Sequence, residues 1–271
     1  MHRRGKTAIP VKSIHFGRRL LLCLLLAALI LGASWLALRR LGIRPFSFDL
    51  PEISLPGDDR RDSREIALSG HALYALQLGA FTQENAARQL AQAYISRGAA
   101  GYVYNDDGTW RVLAAAYPTR AEAQTVQTRL SGQQISTYIH PLRQEAVTLR
   151  AGGTAGQTAA LDEALEYLNS LGDKLFSLSQ ALDTGGLTGE QGREALQSEG
   201  VTSAALESKL QSAFGGGLPE ALEPIARTLR EISDCARAAL HENSAARTGA
   251  ALKACQLTVF FGLLGFCQGL A

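Results

Sequence analysis

The chain has 271 residues, of which 46% are hydrophobic, and a formal net charge of +2. This length can hold two small soluble domains beside one membrane helix. The charge argues against nucleic-acid binding, because its excess comes from a basic amino terminus and not from a patch on a folded region. Such a terminus suits anionic lipid head groups.

Residues 20–38 form an apolar run without a charged residue. About twenty apolar residues at helical rise cross the hydrocarbon core of a bilayer, so the run predicts a transmembrane helix. Basic residues on both sides set its orientation: Arg3, Arg4, Lys6, Lys12, Arg18 and Arg19 precede it, and Arg39, Arg40 and Arg44 follow. The more basic side stays in the cytoplasm, which predicts a cytoplasmic tail over residues 1–19 and an extracytoplasmic remainder.

A cleaved secretory signal is the alternative interpretation of this run. The run is long for such a signal, and residues 34–37 before Arg39-Arg40 form a poor cleavage site, so we favour an uncleaved anchor. Cys23 lies at the start of the run without small residues before it and is interpreted as a bilayer residue, not as a lipid attachment site.

The segment 39–70 contains Pro45, Pro51, Pro56 and the charged stretch 58–64. Such a composition buries too little apolar surface to offset the entropy of the chain. We therefore expect an extended linker between the membrane and the folded region.

Residues 71–145 show the order strand, helix, strand, strand, helix, strand. The first strand alternates Tyr74, Leu76 and Leu78 with smaller or polar residues until Gly79. The two helices are predicted over residues 84–97, with Thr82 as N-cap, and over residues 120–130, with Thr119 and Glu122 as a capping box. The last strand is predicted over residues 135–140, closed by Pro141.

Asp107-Gly108 predicts a two-residue turn between the second and third strands, because both central residues of a type I′ turn need positive φ. This loop sets Val103 opposite Val112 and Tyr104 opposite Arg111. A three-residue loop would instead bury the tyrosines and expose the valines. The hydrophobic pattern favours the first register.

This register divides the sheet into two faces. The face expected under both helices carries Leu76, Leu78, Val103, Val112, Ile135 and Ile139. The face expected to be open carries Gln77, Tyr102, Tyr104, Arg111, Leu113 and Tyr138. An open face of aromatic and polar side chains suits a sugar ligand, since rings stack on sugars while amide and guanidinium groups hydrogen-bond to hydroxyls. Simple solvation of an open face by polar residues is the alternative.

The ordered set of motifs resembles the SPOR domain, a bacterial peptidoglycan-binding family. Gln77, Gly79 and Phe81 match its first strand, and Arg111 and Val112 match its third, where Tyr117 replaces a phenylalanine. The chain departs from the family pattern at Ala80, which replaces a serine, and at Ala115-Ala116, which replace Gly-Pro.

The resemblance implies an α+β fold, a ferredoxin-like βαββαβ domain, whose open face binds glycan strands stripped of stem peptides. Such strands accumulate where a septum is being split. The implied glycan-binding residues are Gln77, Tyr102, Tyr104, Trp110, Arg111 and Tyr138. Trp110 is the weaker member of this set, because its position in the alternation of the strand places it with the buried residues, as a rim or a core aromatic.

After the glycines at 152, 153 and 156, the composition shifts to Ala, Leu, Glu, Gln and Ser. Helices are predicted over residues 158–182, 188–214, 219–241 and 244–270, forming an all-α bundle within residues 157–271. The second is the weakest because of its glycines. The last contains an apolar run of about ten residues, too short to span a bilayer, which favours a buried core helix over membrane or partner contact.

No catalytic, metal or cofactor site is expected. His241-Glu242 lacks the second histidine of a zinc protease motif, and Asp162, Glu163 and Glu166 fit a solvated helix face. Cys235, Cys255 and Cys267 lack metal spacing. Two of them could form a disulfide, and buried free thiols are the equal alternative.

The sequence therefore indicates a non-enzymatic, single-pass membrane protein that binds peptidoglycan glycan strands at division or sporulation septa. Its expected partners are the glycan, the cytoplasmic membrane and, through the bundle, division or sporulation proteins, with no nucleic acid. The alternative is a membrane-anchored scaffold for protein–protein interactions in the same machinery. A wall hydrolase is the least favoured interpretation.

Overall fold

The computed structural model describes residues 51–55, 62–215, 217–242 and 244–270. The strands are β1 (Glu52–Ser54), β2 (Asp62–Leu68), β3 (His71–Phe81), β4 (Tyr102–Asp106), β5 (Thr109–Tyr117), β6 (Tyr138–Gln144) and β7 (Val147–Gly153). The α-helices are α1 (Glu84–Ile95), α2 (Arg120–Gly132), α3 (Ala155–Asp183), α4 (Gly189–Ala213), α5 (Glu223–Ala239) and α6 (Ala245–Gln268), with a 3-10 turn at Glu220–Leu222. The predicted tail (1–19) and membrane helix (20–38) lie outside the described residues.

The larger sheet has the strand order β4-β5-β3-β6, and all its neighbouring strands are antiparallel. Together with α1 and α2 it gives the predicted βαββαβ order. The first strand of this unit lies between the third and the fourth, as expected for a ferredoxin-like arrangement. The α+β class and the helices after this unit are therefore confirmed.

The hairpin between β4 and β5 has the predicted register. Val103 pairs with Val112 and Tyr104 with Arg111. Asp107 and Gly108 have φ values of 48° and 82°, as a two-residue type I′ loop requires. The capping box of Thr119 and Glu122 at the start of α2 is also present.

Two local boundaries differ from the sequence prediction. Helix α1 has Gln83 as its N-cap residue and not Thr82. The last strand begins at Tyr138 and continues through Pro141 to Gln144, whereas Ile135 precedes it. In this sheet β6 pairs only with β3, and an edge strand tolerates proline because one side of its backbone needs no partner.

A second sheet, with the order β1-β7-β2, was not predicted. Its inward side chains Ile53, Ile66, Leu149 and Ala151 are buried against α3. The extended linker is therefore wrong for residues 52–54 and 62–68, which form β1 and β2, and the glycines at 152 and 153 lie in β7 instead of marking a domain boundary. The described residues, from 51 to 270, belong to one compact unit.

The four predicted helices of the carboxy-terminal region are present as α3, α4, α5 and α6. Helix α4 forms although glycines lower helix stability, because one of its glycines allows close packing against a neighbouring helix. A Cβ atom added at Gly200 would lie 2.4 Å from the Cβ of Ala236 on α5, so the glycine allows these helices to approach closely. A capping box of Thr188 and Gln191 starts the helix.

Helix α6 lies in the interior between the bundle and the larger sheet. Leu252, Leu263 and Phe266 pack into the bundle, whereas Leu257 and Phe260 pack against the sheet. The buried core helix predicted from the sequence is confirmed. Among the described residues, α6 is also the helix that is long and apolar enough to cross a membrane. It has 24 residues, and its 18-residue apolar stretch has a mean hydropathy of 1.6 and is 56% buried in this fold.

The described cysteines are free thiols. The thiol of Cys235 on α5 donates to the backbone carbonyl of Ala251 on α6 at 3.7 Å and lies next to the thiol of Cys255. This contact lowers the pKa of Cys235, and together with burial it raises the pKa of Cys255. Of the two alternatives for the cysteines, the structure has free thiols, of which Cys255 is buried and Cys235 and Cys267 are partly buried.

Two glycines in α6 should respond to alanine in opposite ways. A Cβ at Gly262 would lie 2.0 Å from Oγ1 and 2.9 Å from Cβ of Thr228, whereas a Cβ at Gly265 would meet nothing within 4 Å. We expect Gly262→Ala to lower the free energy of unfolding by about 1 to 3 kcal/mol through overpacking. Gly265→Ala should raise it by about 0.5 to 1 kcal/mol through helix propensity. Urea denaturation measures both, and equal effects of the two changes would contradict the tight contact at Thr228.

Candidate functional site

Helices α1 and α2 cover the predicted face of the larger sheet. Leu76, Val112 and Ile139 are buried there with Ala87 and Ala123 of the helices. Leu78 also points to this face, but it is only half-buried. The assignment of these strand residues to the covered face, made from the alternation of side chains along each strand, is confirmed.

The opposite face was predicted to be open, and for most of its area this prediction is wrong. Helix α6 packs across it and buries Leu113 completely. The ring of Phe261 stacks on Tyr102 with 5.2 Å between the ring centroids and packs tilted against Tyr104 at 4.5 Å. The physical reason is that this face also carries Leu73, Ala75 and Leu142, whose apolar surface would otherwise face water.

Burial shapes the chemistry of the two covered tyrosines. Burial, assisted by the charge of Glu231, raises the pKa of Tyr102 to about 12. Burial and the charge of Asp106 raise the pKa of Tyr104 to about 12. Both phenols are therefore neutral at physiological pH. The hydroxyl of Tyr104 is buried and has no hydrogen-bond partner.

A polar cluster lies at the end of the face where Gln77 and Arg111 meet. Arg111 donates from Nη1 to Oε1 of Gln77 at 3.0 Å and from Nε to Oδ2 of Asp106 at 2.6 Å. The register of β3 against β5 shifts on both sides of Gln77, which is the mark of a β-bulge. Bulges re-aim side chains, and here the bulge occurs where the amide of Gln77 meets the guanidinium group. The predicted neighbourhood of Gln77 and Arg111 is thus present.

Tyr138 is the exposed aromatic residue beside this cluster. It is the cross-strand partner of Gln77, and its side chain is 62% exposed. His140, two residues further along β6, lies near Tyr104 with 6.4 Å between the ring centroids. Burial and the charge of Arg111 lower the pKa of His140 against the opposing effect of Asp106. The imidazole is therefore neutral at pH 7 and can both donate and accept a hydrogen bond.

The six sequence-predicted site residues thus separate into three groups. Gln77, Arg111 and Tyr138 come together at the polar end of the face. Tyr102 and Tyr104 share that face but are covered by α6. Trp110 packs on the other face with the residues under α1, as its position in the alternation of β5 indicates.

Sequence reasoning missed Asp106 and His140 as members of this cluster. Each lies two residues from a residue that was assigned to the face, Asp106 from Tyr104 and His140 from Tyr138. The alternation of side chains along a strand could therefore have found both. We name Gln77, Asp106, Arg111, Tyr138 and His140 the polar cluster.

A cavity of about 540 Å³ lies on the opposite side of the sheet, between α1 and α2. Its lining includes Leu76, Tyr94, Arg97, Arg129 and Lys253, and none of the predicted site residues. Across the described ranges, no group of three or more His, Cys, Asp and Glu side chains could hold a metal ion.

Comparisons with curated proteins and with solved structures found no match to this chain. The model of the SPOR domain family matches residues 70–139, from the start of β3 to the start of β6. SPOR domains bind peptidoglycan, and the family is one of binding domains and not of catalysts. The fold, the order of motifs and this match agree, so the chain contains a SPOR domain at residues 70–139.

Proposed function

We propose that this chain is a membrane-anchored protein that binds denuded peptidoglycan strands at division or sporulation septa through its SPOR domain. The observation that carries the proposal is the family match over residues 70–139, because SPOR domains bind peptidoglycan in cell division. The polar cluster is the part of the sheet face that remains accessible beside α6, and it holds the side chains that a sugar ligand needs.

The chemistry of the polar cluster suits a glycan without stem peptides. Removing a stem peptide at its amide bond leaves a lactyl carboxylate on the muramic acid, and a guanidinium group recognises carboxylates well. Arg111 is held by Gln77 and Asp106, so little side-chain entropy is lost when a ligand binds. The exposed ring of Tyr138 offers a stacking surface for a sugar.

Binding to purified peptidoglycan tests this function directly. The full chain should sediment with amidase-treated sacculi and much less with untreated sacculi, because only the treated glycan exposes the lactyl carboxylates. Absence of binding to both would reject the proposal and favour the protein-scaffold alternative. Release of sugars or stem peptides during the incubation would instead indicate an enzyme.

The membrane anchor is proposed from the apolar run 20–38 and the basic residues before it. A periplasm-active reporter fused after Ala271 should be active, and a cytoplasm-active reporter at the same position should be silent. The opposite pattern would reject the topology, and a mature protein that begins after Ala37 would show a cleaved signal instead of an anchor.

A further inference from the structure

The SPOR domain is joined to the rest of the fold by two short connections that lie next to each other. One is Ser69-Gly70, between β2 and β3, and the other is Glu145-Ala146, between β6 and β7. A Cβ added at Gly70 would lie 2.9 Å from the backbone nitrogen of Ala146, so the two connections touch. Two adjacent exposed connections can act as a hinge, because rotation there leaves both sheets intact and breaks only the hydrogen bonds that Asn169 of α3 makes with Ser69 and His71 at this point of the chain.

The interface between the SPOR domain and α6 contains buried polar atoms that lack hydrogen-bond partners. Four buried side-chain polar atoms in the described part of the chain have no hydrogen-bond partner, and three of them, on Tyr104, Gln144 and Gln256, lie where α6 meets the sheet. The other amide atoms of the two glutamines make only long contacts, to Cys267 Sγ at 3.8 Å and to the carbonyl of Ala116 at 3.4 Å. Unpaired buried polar atoms weaken an interface, since exposure to water would satisfy them.

The opposite side of α6 differs in this respect. There Leu252, Val259, Leu263 and Phe266 are buried among apolar residues of α3, α4 and α5. The polar side chains that cross this side, Lys253 to Asp183 of α3 and Cys235 to the carbonyl of Ala251, are paired. None of the four unpartnered atoms lies there, so no side chain on this side gains a missing partner on opening. If the fold opens, the separation should therefore occur between α6 and the sheet and not between α6 and the bundle.

We propose that α6 is an autoinhibitory cover of the SPOR domain, which opens by rotation at the Gly70 and Ala146 connections when denuded glycan binds. This inference rests on the proposed function. In the closed state, which the structure describes, Phe261 occupies the surface of Tyr102 and Tyr104. In the open state, the two tyrosines join the polar cluster in one aromatic groove that accepts a longer stretch of glycan.

Phe261 and a sugar ring cannot both pack on the rings of Tyr102 and Tyr104 at the same time. The polar cluster alone makes the first contact, because it is accessible in the closed state. Binding of the remaining glycan then requires the free energy of opening, and this requirement lowers the apparent affinity by the fraction of molecules that are open.

The test compares variants of the full chain in binding to amidase-treated sacculi. Phe261→Ala removes the ring that covers both tyrosines and should tighten binding about tenfold, since the closed state loses an aromatic cluster. Phe266→Ala is the matched control. It also removes a phenyl ring from α6, but on the side that packs against the bundle, so it should not tighten binding. Unchanged or weaker binding of Phe261→Ala would overturn the cover.

A covalent lock provides a test that does not depend on weakening the fold. The Gln144 amide nitrogen lies 3.8 Å from Cys267 Sγ across the interface, so Gln144→Cys introduces a second thiol that faces a native one. Once a disulfide between them is verified by mass spectrometry, the oxidised variant should bind at least about tenfold more weakly than the reduced variant. Equal binding of both forms would overturn the inference.

These experiments also distinguish failure of the autoinhibitory cover from failure of the proposed glycan binding. If wild type binds as tightly as Phe261→Ala and the lock has no effect, the cover is wrong and glycan binding at the polar cluster stands. If neither the wild type nor Phe261→Ala binds, both proposals fail. Tighter binding by Phe261→Ala together with reversible loss in the locked variant supports the cover.

Discussion

Replacing Tyr138 with alanine is expected to weaken binding to amidase-treated peptidoglycan by about 1 to 3 kcal/mol, or about five- to 150-fold. The ring is exposed beside the polar cluster and offers a stacking surface that the fold does not need. The stability of the protein should therefore change by less than about 0.5 kcal/mol. Gln77→Ala should weaken binding similarly, because it removes the amide and frees the Arg111 guanidinium from one of its two partners.

Tyr94→Ala is the matched control for this prediction. Tyr94 is a half-buried tyrosine of the same domain, but it lines the cavity on the opposite side of the sheet. Its replacement should leave glycan binding unchanged. Full binding by both Tyr138→Ala and Gln77→Ala would contradict a glycan site at the polar cluster, and so would an equal loss in Tyr94→Ala.

Replacing Phe260 with alanine should lower the free energy of unfolding by about 3 to 5 kcal/mol. The side chain is only 4% exposed and packs with Leu73, Leu113 and Leu142 between α6 and the sheet. Denaturation followed by circular dichroism measures the loss. A single transition is expected in the wild type, because the SPOR domain and the helices share this cluster.

Leu78→Ala provides the comparison within the SPOR domain. Leu78 faces α1 but is only half-buried, so its loss should cost less than that of Phe260, at the lower end of the range of about 2 to 5 kcal/mol for buried leucines. If Phe260→Ala changes stability by less than about 1 kcal/mol, the packing of α6 on the sheet is wrong.

Local signals were sufficient for most of the secondary structure. Asp107-Gly108 determined the hairpin register, because few residues accept two successive positive φ values. Thr119 with Glu122 marked the start of α2, because the capping box satisfies backbone donors that are free at a helix start. The alternation along β4 and β5 then sorted Val103 and Tyr104 to opposite faces.

The sheet of β1, β7 and β2 shows where local signals were insufficient. Asp62, Arg64 and Glu65 gave β2 the composition of a linker, yet Ile66 pairs with Leu149 more than 80 positions later in the chain. A strand with a charged outer face resembles a solvated segment until its partner is known. Glycines 152 and 153 similarly suggested a boundary, although Gly153 ends β7 in close contact with Leu55.

Local sequence signals predicted the βαββαβ order of the SPOR domain, the four later helices and the neighbourhood of Gln77, Arg111 and Tyr138. These features follow from turn chemistry, capping and the two-residue period of a strand, which act over a few residues. The covering of Tyr102 and Tyr104 by α6 became apparent only in the packing of the whole chain. The apolar residues on all sides of α6 indicated burial but not which surface would meet it, because a hydrophobic contact is non-directional and its partner is chosen by the packing of the whole chain.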